Sequence, residues 1–144
     1  MIKNIKITIH SIINDLEENT PIGDAEINDI SVKGTLRETD GEIILSYRED
    51  SEGGSVLTRI SVKDGHVTVT RQGAISSVMV FAEGETFNTL YEIAPYKFNM
   101  SIRTVRMKCE LDAEGGLFDV SYRMNVGGAE KLCRMKLSAE ETSQ

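Results

Sequence analysis

The sequence has no tryptophan, only two prolines, two cysteines and two histidines, and 6% aromatic residues. Each scarcity removes a class of protein. Two cysteines, Cys109 and Cys133, are too few for a disulfide scaffold, and no ligand set with them approaches the four close ligands of a structural zinc site. His10 and His66 fall on polar positions and belong to no HxH or HExxH pattern, so no metal ligation is expected. Ser76-Ser77 lacks the Gly-x-Ser-x-Gly elbow, no Gly-rich loop opens a helix, and the calcium spacing DxDxDG is absent. No cofactor is implied, and an enzymatic role has no linear motif behind it.

Positive charge is also short. Sixteen basic residues stand against 23 acidic ones, a formal charge of −7. Such a surface repels phosphate backbones, which excludes general nucleic-acid binding. No window reaches the roughly 18 apolar residues of a membrane-spanning helix. The opening MIKNIKITIHSII alternates with polar residues and has no continuous apolar core of a secretory signal, so a cytoplasmic protein without membrane partners is expected.

What the chain does have is period-2 alternation, with 40% hydrophobic residues to supply a core. Ile5, Ile7 and Ile9 share a face, then Val32, Gly34 and Leu36, then Ile43, Leu45 and Tyr47. Val56, Thr58, Ile60 and Val62 continue the pattern, followed by Val67 and Val69. Residues 14–29 carry acidic side chains, Pro21 and Gly23; they read as an acidic loop, with SIINDLEE the one place for a short helix. EDSEGGS reads as a second structureless gap. Asp64-Gly65 predicts a type I′ hairpin turn, because both central positions require positive φ. It sets Lys63 opposite His66 and Val62 opposite Val67. Thr39-Asp40-Gly41-Glu42 gives the same kind of turn, with Leu36 opposite Leu45.

Near the C-terminal end, two Gly-Gly pairs suggest two more hairpins. A loop at Gly115-Gly116 would set Leu111 against Val120, Cys109 against Tyr122, Met107 against Met124 and Val105 against Val126. A loop at Gly127-Gly128 would set Tyr122 against Cys133 and Met124 against Lys131. Together they predict a row Cys109–Tyr122–Cys133, with the thiols two strand spacings, roughly 9–10 Å, apart and therefore unbonded. The apolar parity switches between Ile102 and Val105, which predicts a β-bulge near Arg103-Thr104. Nine or ten strands without covering helices bury their apolar rows best by curling closed. The reading is a single domain over 1–144: an all-β antiparallel up-and-down meander closed into a barrel of about eight to ten strands.

The segments RQG at 71–73, SVMVFAEG at 77–84, LYE at 90–92, FNMSIRT at 98–104 and GGLFDVSYRMNVGG at 115–128 resemble the YwiB-like bacterial proteins. The resemblance implies a calycin-like (lipocalin-like) β-barrel and, since that family is of unknown function, very little chemistry. YEIAPYKF departs from the Tyr-Glu-Thr-Pro-x-Gly that its members usually show.

Four residues stand out as candidate ligand-binding groups. Arg71 has the parity of Val69 and so points to the apolar face, where an unpaired guanidinium is costly. It either pairs at the barrel rim or anchors an acidic ligand group. Tyr91 and Tyr122 each need a hydroxyl partner, from the core or from a ligand. Thr104, at the expected bulge, is suited to satisfying a backbone group freed there. The leading expectation is a small, partly apolar ligand held in the barrel. A homodimer without ligand is the second reading, because SSVMVFA is apolar on both faces. An enzyme using Arg71 with Tyr or Glu side chains is the third.

Overall fold

The computed structural model describes residues 2–51 and 53–142. Ten strands follow one another: β1 (Ile2–Glu17), β2 (Thr20–Thr39), β3 (Glu42–Ser51), β4 (Gly54–Lys63), β5 (His66–Gly73), β6 (Ser76–Phe81), β7 (Thr86–Ile93), β8 (Tyr96–Asp112), β9 (Gly115–Val126) and β10 (Ala129–Glu141). All are antiparallel to their sequence neighbours, and β1 pairs with β10 to close the barrel. Among the described residues no helix is long and apolar enough to cross a membrane.

The turn chemistry acts where expected at both Asp-Gly pairs. Asp64 and Gly65 have φ of 51° and 76°, and Lys63 lies opposite His66; Asp40 and Gly41 have φ of 48° and 79°, with Leu36 opposite Leu45. A parity switch does occur in β8: the register shifts between Thr104 and Arg106, leaving Val105 as the extra residue. Val105 is therefore 51% exposed rather than inward as its parity with Met107 suggested.

Three expectations are overturned. First, residues 14–29 form neither a loop nor a helix. β1 runs on to Glu17, paired with β10 as far as Leu16↔Glu130, and β2 starts at Thr20. The hairpin turns at Glu18-Asn19, both at positive φ. The outer edge of this part of β2 has no β3 partner before Gly34. An unpaired edge facing solvent accepts charged side chains and Pro21, the features that made the segment look like a loop. Second, EDSEGGS is not a structureless gap: Glu49 to Ser51 lie in β3 and Gly54-Ser55 in β4 (Glu52 lies outside the described residues).

Third, the β8–β9 hairpin turns at Ala113-Glu114, not at Gly115-Gly116. Asp112 pairs with Gly115, Leu111 with Gly116, Cys109 with Phe118, Met107 with Val120 and Thr104 with Tyr122. The row Cys109–Tyr122–Cys133 does not exist; Thr104–Tyr122–Cys133 takes its place, and both thiols are free. Moving the turn by two residues keeps every side chain on its face, so apolar matching cannot detect the slip. The glycines are used for close approach instead. A Cβ on Gly116 would sit 1.9 Å from the Glu110 carbonyl oxygen, and one on Gly115 would sit 2.4 Å from that of Ala139. At Gly127-Gly128 the expected register holds, with Met124 opposite Lys131 and the ammonium reaching Asp15 at 2.7 Å.

The inside of the barrel divides along its axis. Toward the turns that follow β2, β4, β6 and β8 it is packed solid by Ile5, Ile7, Leu36, Leu45, Phe81 and Leu137, each 1% exposed or less. Phe81 stacks its edge on Tyr122 with ring centroids 4.8 Å apart, capping that packed half. Toward the opposite turns the side chains leave space.

Candidate functional site

The boundary between the packed and hollow halves is one polar row. Following the register around the wall, Gly34 (β2) pairs with Tyr47 (β3), Tyr47 with Thr58 (β4), Thr58 with Arg71 (β5), Arg71 with Ser77 (β6) and Ser77 with Tyr91 (β7). Alternation carries all five polar side chains inward. Gly34 is at its end because the strands crowd there; a Cβ would lie 2.4 Å from the Ser46 carbonyl oxygen and 2.9 Å from Ile7. Beyond Gly34, β2 parts from β3 and no longer pairs with it. The gap so made is the mouth of a cavity.

That cavity has a volume of about 650 Å³. Arg71, Tyr91 and Tyr122 line it, together with Met79, Met100, Met124 and Met135. Glu49 and Asp50 on β3, and Asn28 and Asp29 on β2, flank its mouth. Its size and mixture of an apolar body with a few polar groups are those of small-molecule sites.

The polar row is short of partners. Among the described residues, Arg71 Nε and Ser77 Oγ are buried without a hydrogen-bond partner, and Thr58 Oγ1 has no partner beyond the neighbouring Tyr47 hydroxyl. They are consecutive members of the row. Thr58 is fully buried and Ser77 is 5% exposed. Leaving one such group unsatisfied costs about 1–3 kcal/mol, so the row carries an unmet demand for hydrogen-bond partners. Among the described residues no carboxylate lies within 4.0 Å of the Arg71 guanidinium. The rim pairing that sequence reasoning allowed for Arg71 is not made.

The guanidinium works electrostatically on two walls. Burial pushes the Tyr47 hydroxyl above its ordinary pKa, and Arg71 opposes that rise. Burial raises Tyr122 strongly as well, again with Arg71 opposing. Both tyrosines remain neutral hydrogen-bonding groups at physiological pH. Beside Tyr122, burial pushes the Cys133 thiol up to about 11. That thiol is no nucleophile at neutral pH.

Thr104 is different. It is buried next to Tyr122, but its Oγ1 accepts the Ala82 N–H at 3.2 Å, while its backbone exchanges bonds with Gly84 and Glu85. It ties the β6–β7 connection to the bulge and stands outside the cavity lining. Sequence reasoning missed Tyr47, Thr58, Ser77 and Glu49. The signal was available in their inward parity, but only the cross-strand register joins them to Arg71. Among the described residues no group of three His, Cys, Asp or Glu side chains is placed to hold a metal ion.

The fold and site together define a class: a small antiparallel barrel, closed and packed at one end, with a polar-floored chamber at the other. The chain belongs to the family described as a domain of unknown function, DUF1934, whose model matches residues 7–138. It is 28% identical over 137 residues to the uncharacterized beta-barrel protein YwiB of Bacillus subtilis (strain 168), spanning 93% of this chain and 92% of that relative. The crystal structure of the ywiB protein from Bacillus subtilis has a TM-score of 0.85 to this one, at 25% identity, covering 99% of this chain and 94% of the other.

Proposed function

We propose that this chain is a calycin-like binding protein of the cytoplasm, which holds a small, partly apolar molecule with an acidic head group in its chamber. The single observation that carries the reading is the adjacent pair of unpartnered buried atoms Arg71 Nε and Ser77 Oγ, flanked by Thr58, along one row of the floor. An anionic head set on Arg71 supplies the acceptor that the guanidinium lacks, and the flanking hydroxyls donate to the same oxygens. The methionines offer an adaptable apolar wall to the rest of the molecule.

A panel of medium-chain carboxylic acids, followed by thermal shift and calorimetry, tests the reading. A binding acid at a hundred times its Kd stabilises the wild type by about 2.7 kcal/mol. Arg71→Met loses at least roughly tenfold in affinity, the effect expected of a charge-assisted bond. Its unliganded stability is unchanged or raised, because an apolar chain replaces a half-buried, unpaired charge. Absence of any response in the wild type, or an Arg71→Met variant that binds the acids equally well, rejects it.

A second reading, self-association, is supported by the outside of the β6–β7 seam. These strands pair only at Ser76↔Glu92 and Ser77↔Tyr91. Just beyond, Val78 is 37% and Leu90 48% exposed, and Tyr96 stacks on Phe98 nearby on β8.

A further inference from the structure

The charges around the chamber are not all spoken for. Asp29 is hydrogen-bonded to His10 at 2.5 Å, Lys131 is paired to Asp15 at 2.7 Å, and Arg134 makes a two-point bond with Asp119 at 3.2 and 3.0 Å. Arg71 has no carboxylate, as described above. Glu49 is its counterpart: it continues the inward series Ile43, Leu45, Tyr47 on β3, is half-buried, and lines the same cavity. Among the described residues, no cation lies within 4.0 Å of its carboxylate. Asp50, exposed beside it on the mouth, likewise has no cation within that distance.

The two unpaired charges belong to one neighbourhood. Glu49 pairs with Val56, which pairs with Gly73, so Glu49 stands two strands from Arg71 and one inward step nearer the mouth. Strand spacings of ~4.8 Å and ~3.4 Å per residue put their Cα atoms roughly 12 Å apart, and both side chains reach inward from there. Both charges act on the same Tyr47 hydroxyl, Glu49 raising its pKa and Arg71 lowering it. Between them lies Thr58, fully buried, with the Tyr47 hydroxyl as its neighbour.

From this arrangement we infer that the ligand is zwitterionic: its carboxylate sits on Arg71, its ammonium on Glu49, and an apolar body lies among the methionines. This rests on the chamber being a ligand site and adds the second charge. A purely anionic ligand would leave the Glu49 carboxylate uncompensated and place a like charge near it. A dianion such as a phosphate monoester would be worse served, facing one free cation and two free carboxylates. An amino acid with a long apolar side chain, or a short apolar peptide end, meets both charges at once and fits well within about 650 Å³.

Calorimetric titration of the full chain with three probes, decanoic acid, 2-aminodecanoic acid and decylamine, tests the inference. The wild type is expected to prefer 2-aminodecanoic acid over decanoic acid by about fivefold or more, as an additional part-buried ion pair would give. Glu49→Gln removes that preference and leaves decanoic acid binding equal or tighter, whereas Arg71→Met weakens both acids. Should the wild type bind the two acids equally, or favour decanoic acid, and Glu49→Gln alter neither, the zwitterion is wrong while the Arg71 reading stands. Tighter binding of decylamine than of either acid overturns both assignments. If none of the three binds, the inference falls together with the chamber's assignment to such ligands.

Discussion

The two thiols show how far identity and environment separate. Both cysteines point into the barrel, yet Cys133 is buried beside Tyr122 whereas Cys109, opposite Phe118, is only half-buried. Its burial raises the Cys133 pKa from about 9 to about 11. Between those values the unfolded chain has released the proton and the folded chain still holds it. Stability therefore falls as pH rises from about 9 to about 11, and is fully retained below. A Tm-versus-pH series should show that slope in the wild type and a shallower one in Cys133→Ala. At pH 7.5 a maleimide should modify Cys109 well before Cys133. At this scale the sequence was informative about direction: alternation alone turned Arg71 inward. Its lack of a partner was not legible, because that depends on which carboxylates other strands bring within reach.

Among the elements, glycine pairs were the ambiguous sign. At Gly127-Gly128 the pair makes the turn; at Gly115-Gly116 it lies just past the turn and lets β8, β9 and β10 approach closely. The true turn at Ala113-Glu114 is held by Asp112, whose Oδ1 accepts the Glu114 N–H at 2.8 Å. Asp and Glu there carried no stronger turn signal than the glycines beside them, and parity could not arbitrate a two-residue slip. Gly116→Ala tests the assignment, since φ is +127° and the added methyl has no room. A loss of about 2–4 kcal/mol is expected, a fall in Tm on the order of 10 °C. Gly65→Asn, at φ +76° with open space around it, should cost well under ~1 kcal/mol by the same melting curves. The β1–β2 arm was hidden for another reason. Its strands are long but one edge is wet, so composition followed solvent rather than hydrogen bonding.

Taken as a whole molecule, the barrel was the most legible feature, because ten alternating segments without a helix leave few ways to hide their apolar faces. The chamber was not, since its existence depends on β2 leaving β3 at Gly34, a residue that alternation treats as one more inward position. The outer seam supplies the prediction at this scale. If Val78 and Leu90 are covered by a second copy, light scattering at tens of micromolar gives twice the chain mass, and Val78→Asp with Leu90→Asp returns the monomer. A wild type that stays monomeric rejects self-association through this surface.

Nine of the ten strand pairings join neighbours along the chain, and one joins β1 to β10. A nascent chain can therefore zip hairpin by hairpin, but its first strand waits for its last, with the backbone of residues 5–16 on that side unsatisfied until Leu132, Cys133 and Leu137 arrive. Those segments are separated by most of the polypeptide, so their pairing is the contact of longest sequence separation in the barrel. Unless the intervening hairpins form first, it costs the most chain entropy. Until then the growing protein carries a sticky margin, and it is in this interval that a chaperone or a neighbouring ribosome's product would meet it.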